Sequence, residues 1–238
     1  MIWVLILVGS SWAADVIVKD ADVLRLGDVS FRLDGVDAPE LDQNCLDENG
    51  AVWPCGTAAR DELRNFIADR TVRCEDKGAD PTFRERRLGI CRIEGERATL
   101  NQWLVRNGWA LNFEPYAKGR FFIDQADAER NRLGLWTGCF AAPQDLRLWN
   151  KKTAKLLGLG CPPGNDSAAR NDLLPEHPNM PPGCAIKGTL AARAKVTGHR
   201  GIYHMESCRS YGKATSPRRW FCTEEDARAA GFRKAYDC

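Results

Sequence analysis

In the stretch Ser30-Phe31-Arg32-Leu33-Asp34-Gly35-Val36-Asp37-Ala38-Pro39-Glu40, one arginine and two acids fall close together. A guanidinium is a planar fork that matches phosphate oxygens in pairs. A carboxylate can take a proton from water. Taken alone, Arg32 and Glu40 also read as a surface ion pair of small consequence. Their surroundings add to the chemical reading. Upstream, Asp20-Ala21-Asp22 sits between two apolar pieces, either as solvated turn residues or as oxygen ligands for a hard cation. Downstream, Arg84, Arg86 and Arg87 share one loop. The three histidines, at 177, 199 and 204, all lie far along the chain, so the first half has no histidine to act as a base.

These side chains need elements to hold them. Val29, Phe31 and Leu33 alternate with Ser30 and Arg32, the period of a half-buried strand, and Pro39 ends it. Val16–Lys19, Val23–Leu26, Thr71–Glu75 and Leu88–Ile93 read as further strands. Ala59, Leu63, Phe66 and Ile67 are spaced as one stripe of a helix over Gly56–Arg70. Thr99 is placed to cap a helix over Leu100–Asn107, and Phe121–Arg132 reads as another, stopped at Gly134. Short strands with interposed helices predict a small α+β domain with a partly open barrel.

Length and composition set the frame. The chain has 238 residues, room for one ordinary domain and a small second one. Residues 1–14 are apolar and then small, ending Ser11-Trp12-Ala13-Ala14, and read as a secretory signal cleaved after Ala13 or Ala14. Residues 150–183, with Pro162-Pro163-Gly164 and Pro181-Pro182-Gly183, read as an extended linker between a domain at 15–149 and a small one at 184–238. Residues 1–149 hold 19 Lys+Arg against 24 Asp+Glu, whereas residues 184–238 hold 11 against 5. The basic C-terminal part suits an anionic partner, nucleic acid or an envelope surface. Ten cysteines and no Cys-x-x-Cys, in a chain read as exported, predict five disulfides and a secreted or periplasmic protein. No membrane span is expected after cleavage, and a monomer is expected.

With its motifs in order, the chain resembles the thermonuclease (staphylococcal-nuclease-like) family from about Val16 to Trp149. The matching segments are Asp20-Ala21-Asp22-Val23, then Arg32-Leu33-Asp34-Gly35-Val36-Asp37-Ala38-Pro39-Glu40, and Arg86-Arg87-Leu88-Gly89. Trp53-Pro54-Cys55-Gly56, Leu104-Val105-Arg106-Asn107-Gly108-Trp109-Ala110 and Gly134-Leu135-Trp136 add to it. The resemblance implies a five-stranded OB-type β-barrel with three helices. It also implies a calcium-dependent endonuclease acting on DNA or RNA. Arg32, Glu40 and Arg86 would be catalytic, with Arg84 the alternative to Arg86. Asp22, Asp37 and the Ala38 carbonyl would bind Ca2+, with Asp20 just outside. Ala21 and Val23 depart from the family's glycine and threonine, and Glu85 from a glycine; if the metal turn needs φ > 0, Ala21 strains it by roughly 1 kcal/mol. The rival reading is a non-catalytic OB-fold nucleic-acid-binding module with a decayed metal site. A structural or adhesive role for residues 184–238 is more distant.

The C-terminal segment weakly resembles the Ada-type zinc domain, with its four ligand positions here His204, Cys208, Ala235 and Cys238. That pattern implies a lost zinc site and a Cys208–Cys238 disulfide, leaving Cys184–Cys222; a zinc site from His204, Cys208, Cys222 and Cys238 is the alternative. In the first domain, Cys45 and Cys55 bracket one loop. Cys74 and Cys91 fall on strands expected to be neighbours, and Cys139–Cys161 follows.

Overall fold

The computed structural model describes residues 15–148, 151–162, 166–191 and 198–238. The expected leader at 1–14 and the start of the expected linker lie outside these residues. The central feature is a five-stranded sheet. Its strands are β1 (Val16–Asp20), β2 (Val23–Leu26), β3 (Val29–Leu33), β7 (Val72–Ala79) and β8 (Arg87–Ile93). They lie in the order β1-β2-β3-β8-β7. Only the β3–β8 pairing is parallel; it sets Phe31 against Arg87 and Arg32 against Leu88. The β2–β3 register sets Val23 opposite Arg32, so the Asp22 turn reaches the arginine strand directly. No ladder joins β1 to β7 among the described residues, so the expected partly open, OB-type barrel is, in its hydrogen bonding, an open five-stranded sheet.

Helix α1 (Cys55–Ile67) buries Ala59, Leu63 and Ile67 against this sheet, as its stripe predicts. Helix α2 (Leu100–Arg106) starts at Thr99, whose hydroxyl accepts the Gln102 N–H at 3.0 Å. Two glycines are dictated by space. A side chain on Gly56 would run into the Glu40 carbonyl, at 1.8 Å from the added carbon. Gly35 turns the chain after β3 at φ 79°, and a side chain there would also meet Arg120. So the approach of Glu40 to the start of α1 is built into the backbone. Beyond Gly35, β4 (Val36–Asp37) pairs with β9 (Leu111–Asn112), which holds Asp37 in regular structure.

More than three helices are present. The 15–149 segment also contains α3 (Glu114–Ala117), α4 (Phe122–Arg130) and α5 (Pro143–Leu148). The last has no counterpart in the sequence reading, and it matters for the site. The expected linker is also more structured than an extended tether. Its β11 (Leu156–Leu157) pairs with β10 (Phe140–Ala141), and α6 (Asp166–Leu173) buries Ala169 and Leu173 against Leu46 and Cys139. Apolar residues scattered among Pro, Gly and Lys find partners only in three dimensions.

Residues 184–238 form a four-stranded sheet, β14-β12-β13-β15. Its strands are β12 (Ile186–Leu190), β13 (Gly201–His204), β14 (Arg219–Phe221) and β15 (Phe232–Lys234). Tyr203, Phe221, Ala227, Ala230 and Phe232 make its core. Helix α7 (Glu224–Ala229) opens with a capping box of Thr223 and Asp226. The structure contains the disulfides Cys45–Cys55, Cys74–Cys91, Cys139–Cys161, Cys184–Cys222 and Cys208–Cys238. Cys74 and Cys91 face each other at one position of the β7–β8 ladder. The likeness to an Ada-type zinc domain finds no support. Cys208 and Cys238 are bonded to each other, Cys222 is bonded to Cys184, and the His204 ring lies 2.8 Å from the Ser210 hydroxyl.

Candidate active site

Three chain segments converge on one cleft of about 280 Å³. The β1–β2 turn brings Asp20 and Asp22, β3 and its exit bring Arg32 and Glu40, and the loop before β8 brings Arg86. Arg86 is buried and Arg84 is exposed, so of the two arginines Arg86 is the one that lines the cleft.

Asp22 and Arg32 are joined at 3.4 Å, and Arg32 reaches Asp37 at 3.6 Å. Arg86 is held more firmly: its Nε and Nη2 both donate to Asp80 Oδ2, at 3.2 and 2.9 Å. Asp80 is itself fixed by the Thr82 N–H and hydroxyl, and its carboxyl titrates below the usual range because these bonds and Arg86 outweigh its burial. Asp80 therefore aims the Arg86 fork. Asp20 accepts the Ala21 N–H at 2.7 Å. Burial, with Asp22 and Glu40 nearby, pushes the Asp20 carboxyl well above its ordinary value. Ala21 is buried and is not among the residues with positive φ, so the strain considered for this turn is not there.

Sequence reasoning missed the partners of Glu40 and Asp37. Arg147, from α5, donates through Nε to Glu40 Oε1 at 2.5 Å and through Nη2 to Asp37 Oδ1 at 2.6 Å. The Gln144 N–H, from the first turn of the same helix, donates to Asp37 Oδ2 at 3.1 Å. Arg219, from β14, adds a contact to Glu40 Oε2 at 3.4 Å and is clamped by Asp42 at 2.6 and 2.7 Å. Burial works to raise the Glu40 carboxyl, but Arg147 and Arg219 overcome it, so Glu40 titrates low and is ionised at neutral pH. For Asp37 burial wins over Arg147, and its carboxyl is raised. The C-terminal part roofs the cleft with Arg200 and Asp226. No sequence signal singled out Arg147, Asp80 or Asp42; each is one charged residue among many.

Residues 30–138 match the staphylococcal nuclease homologue family. This segment is a nuclease-type domain. Among curated proteins, the succinoglycan biosynthesis protein ExoI of Rhizobium meliloti (strain 1021) is 36% identical over 121 residues, 50% of this chain and 61% of that protein. The match thus spans less than two thirds of that relative's length. The nuclease-type domain holds Arg32, Glu40 and Arg86, while Arg219 lies far beyond the matched residues.

The resemblance implies calcium held by Asp22, Asp37 and the Ala38 carbonyl, and the arrangement does not fit it. Both Asp37 oxygens are engaged, one by Arg147 and one by the Gln144 N–H, and Asp22 faces Arg32. Among the described residues, no three of the acids Asp20, Asp22, Asp37 and Glu40 bring side-chain oxygens within 4.8 Å of one another. The group that does come close, Cys208, Asp237 and Cys238, includes two cysteines already bonded to each other.

Proposed function

We propose that the protein is an endonuclease that hydrolyses phosphodiester bonds of DNA or RNA, with Glu40 as base and Arg32 and Arg86 as phosphate ligands. The single observation that carries this reading is the convergence of the Glu40 carboxylate with the Arg32 and Arg86 guanidiniums in one cleft of a nuclease-type domain. Glu40 takes a proton from a water, whose oxygen forms a new bond to phosphorus while the bond to the leaving oxygen breaks; that oxygen then gains a proton. Arg32 and Arg86 meet the charge that builds on the non-bridging oxygens, which a planar fork suits better than a point charge. Asp80 keeps Arg86 aimed.

The family resemblance favours calcium, yet the carboxylates that would hold it are paired with arginines, so no step is assigned to a metal. A secreted or periplasmic setting is supported by five disulfides, since such bonds persist in oxidising compartments. Among the described residues, no helix is long and apolar enough to cross a membrane. The second reading, a nucleic-acid-binding module that does not cut, is favoured by the ion pairing of Glu40 with Arg147 and of Arg86 with Asp80. Incubating the purified chain with plasmid DNA and with RNA separates the two: cleavage lost in Glu40→Gln supports the nuclease, and retention of intact nucleic acid on the wild type supports the module.

A further inference from the structure

We propose that Arg147 is the resident cation of this site: its guanidinium supplies, from within the chain, the positive charge that the family resemblance assigns to calcium, and so positions Asp37 and Glu40 without a metal ion. The proposal rests on the nuclease reading only for its consequence in catalysis. The cation assignment itself stands on geometry.

One guanidinium bridges two carboxylates, Asp37 at 2.6 Å and Glu40 at 2.5 Å. Both acids are withdrawn from water, with only 2% and 18% of their side chains exposed. Two acids so placed need a cation between them, because a buried unpaired charge is costly. The arginine is also held in place on several sides. Leu146 of α5 is fully buried, and Asp145 accepts the Lys155 N–H at 2.7 Å. The Arg147 carbonyl accepts a bond from Arg200 at 2.9 Å. The same helix gives Asp37 its Gln144 N–H, so side chain and backbone reach one carboxylate together. A divalent ion at Asp37 would have to bind beside a guanidinium already seated on the same carboxylate. Arg219 reaches the other Glu40 oxygen at 3.4 Å. A guanidinium stays charged at any working pH and cannot be chelated away, so cleavage should be insensitive to chelators. Arg147 acts through Glu40 and Asp37 and is a positioning residue.

The test is a calcium chloride titration of the full chain, followed by calorimetry and by melting temperature, for wild type, Arg147→Gln and Arg147→Lys. Wild type is expected to give no saturable calcium heat and no calcium-dependent rise in melting temperature. Arg147→Gln, which frees Asp37 and Glu40, is expected to bind calcium on the order of tenfold tighter or more, the size of a typical coupling between competing occupants. Arg147→Lys keeps a charge and should stay closer to wild type. Saturable calcium binding by wild type would overturn the proposal, and the wild-type titration decides alone if Arg147→Gln does not fold. Oligonucleotide cleavage by wild type should be equal in calcium and in EGTA; cleavage abolished by EGTA also overturns it. A chain that cuts no nucleic acid under any condition removes the nuclease reading alone, because the calcium titration still decides the cation assignment.

Discussion

At the scale of single residues, the site works by contrast between firm and loose partners. Arg86 is clamped by Asp80, while Arg32 meets Asp22 and Asp37 only at 3.4 and 3.6 Å, which leaves it the freer fork for an incoming phosphate. Glu40→Gln keeps the volume and removes the base. Its cleavage rate is expected to fall by a hundredfold or more, about 3 kcal/mol of transition-state stabilisation, read from initial rates on an oligonucleotide; a rate within a few-fold of wild type would exclude Glu40 as base. Asp226 offers a pH test. Burial first, with Glu40 and Glu225 adding to it, pushes its carboxyl up to about 6 against the pull of Thr223 and Lys19. An acid raised in the folded state costs stability when ionised. The penalty is therefore full above about pH 6 and is relieved as pH falls toward the ordinary carboxylate range. Asp226→Asn should raise the melting temperature at pH 7.5 and have little effect near pH 4, with a gain of about 1–2 kcal/mol after discounting for partial exposure. Denaturant curves at the two pH values check it, and equal effects at both would refute the assignment.

At the scale of elements, the β7–β8 pair carries the loop from which Arg86 enters the cleft. Cys74–Cys91 ties that pair together over a separation of 17 residues. Replacing both cysteines with alanine is expected to cost about 3 kcal/mol, since a crosslink of that span mainly restricts the unfolded chain. Chemical denaturation measures this, and a loss below about 0.5 kcal/mol would show that the strands hold their register unaided. Helix α5 shows the limit of pattern reading. It has only six residues, too few for a periodic stripe to stand out. Its one buried leucine, Leu146, says nothing about where Arg147 goes.

At the scale of the whole molecule, the C-terminal part is joined to the nuclease-type domain by ion pairs. Arg219 is nearly fully buried and reaches Asp42 through two bonds. Lys19 pairs with Glu225, and Arg228 pairs with Glu85 at 2.7 Å. Arg219→Ala leaves Asp42 buried without its cation and is expected to cost about 3–5 kcal/mol. The double variant Arg219→Ala, Asp42→Ala should recover part of that loss. Thermal unfolding of Arg219→Ala, Asp42→Ala and the double variant checks it, and additive effects would mean that the two residues do not interact.

The sequence by itself was enough for the sheet strands, for α1 and α2, and for the motif that sets Arg32 and Glu40 in one stretch. These depend on local periodicity and on the Thr99 cap, both of which act over a few residues. The likeness to a nuclease family was legible for the same reason, since its motif is short and contiguous. Tertiary structure alone decided what the charges do. Arg147 lies 107 residues beyond Glu40, and Arg219 lies 179 residues beyond it. No local pattern can choose one arginine from the 34 basic Lys and Arg residues. The choice is made by which helix and which strand pack over the cleft, because a buried carboxylate pairs with whichever cation the fold delivers within reach.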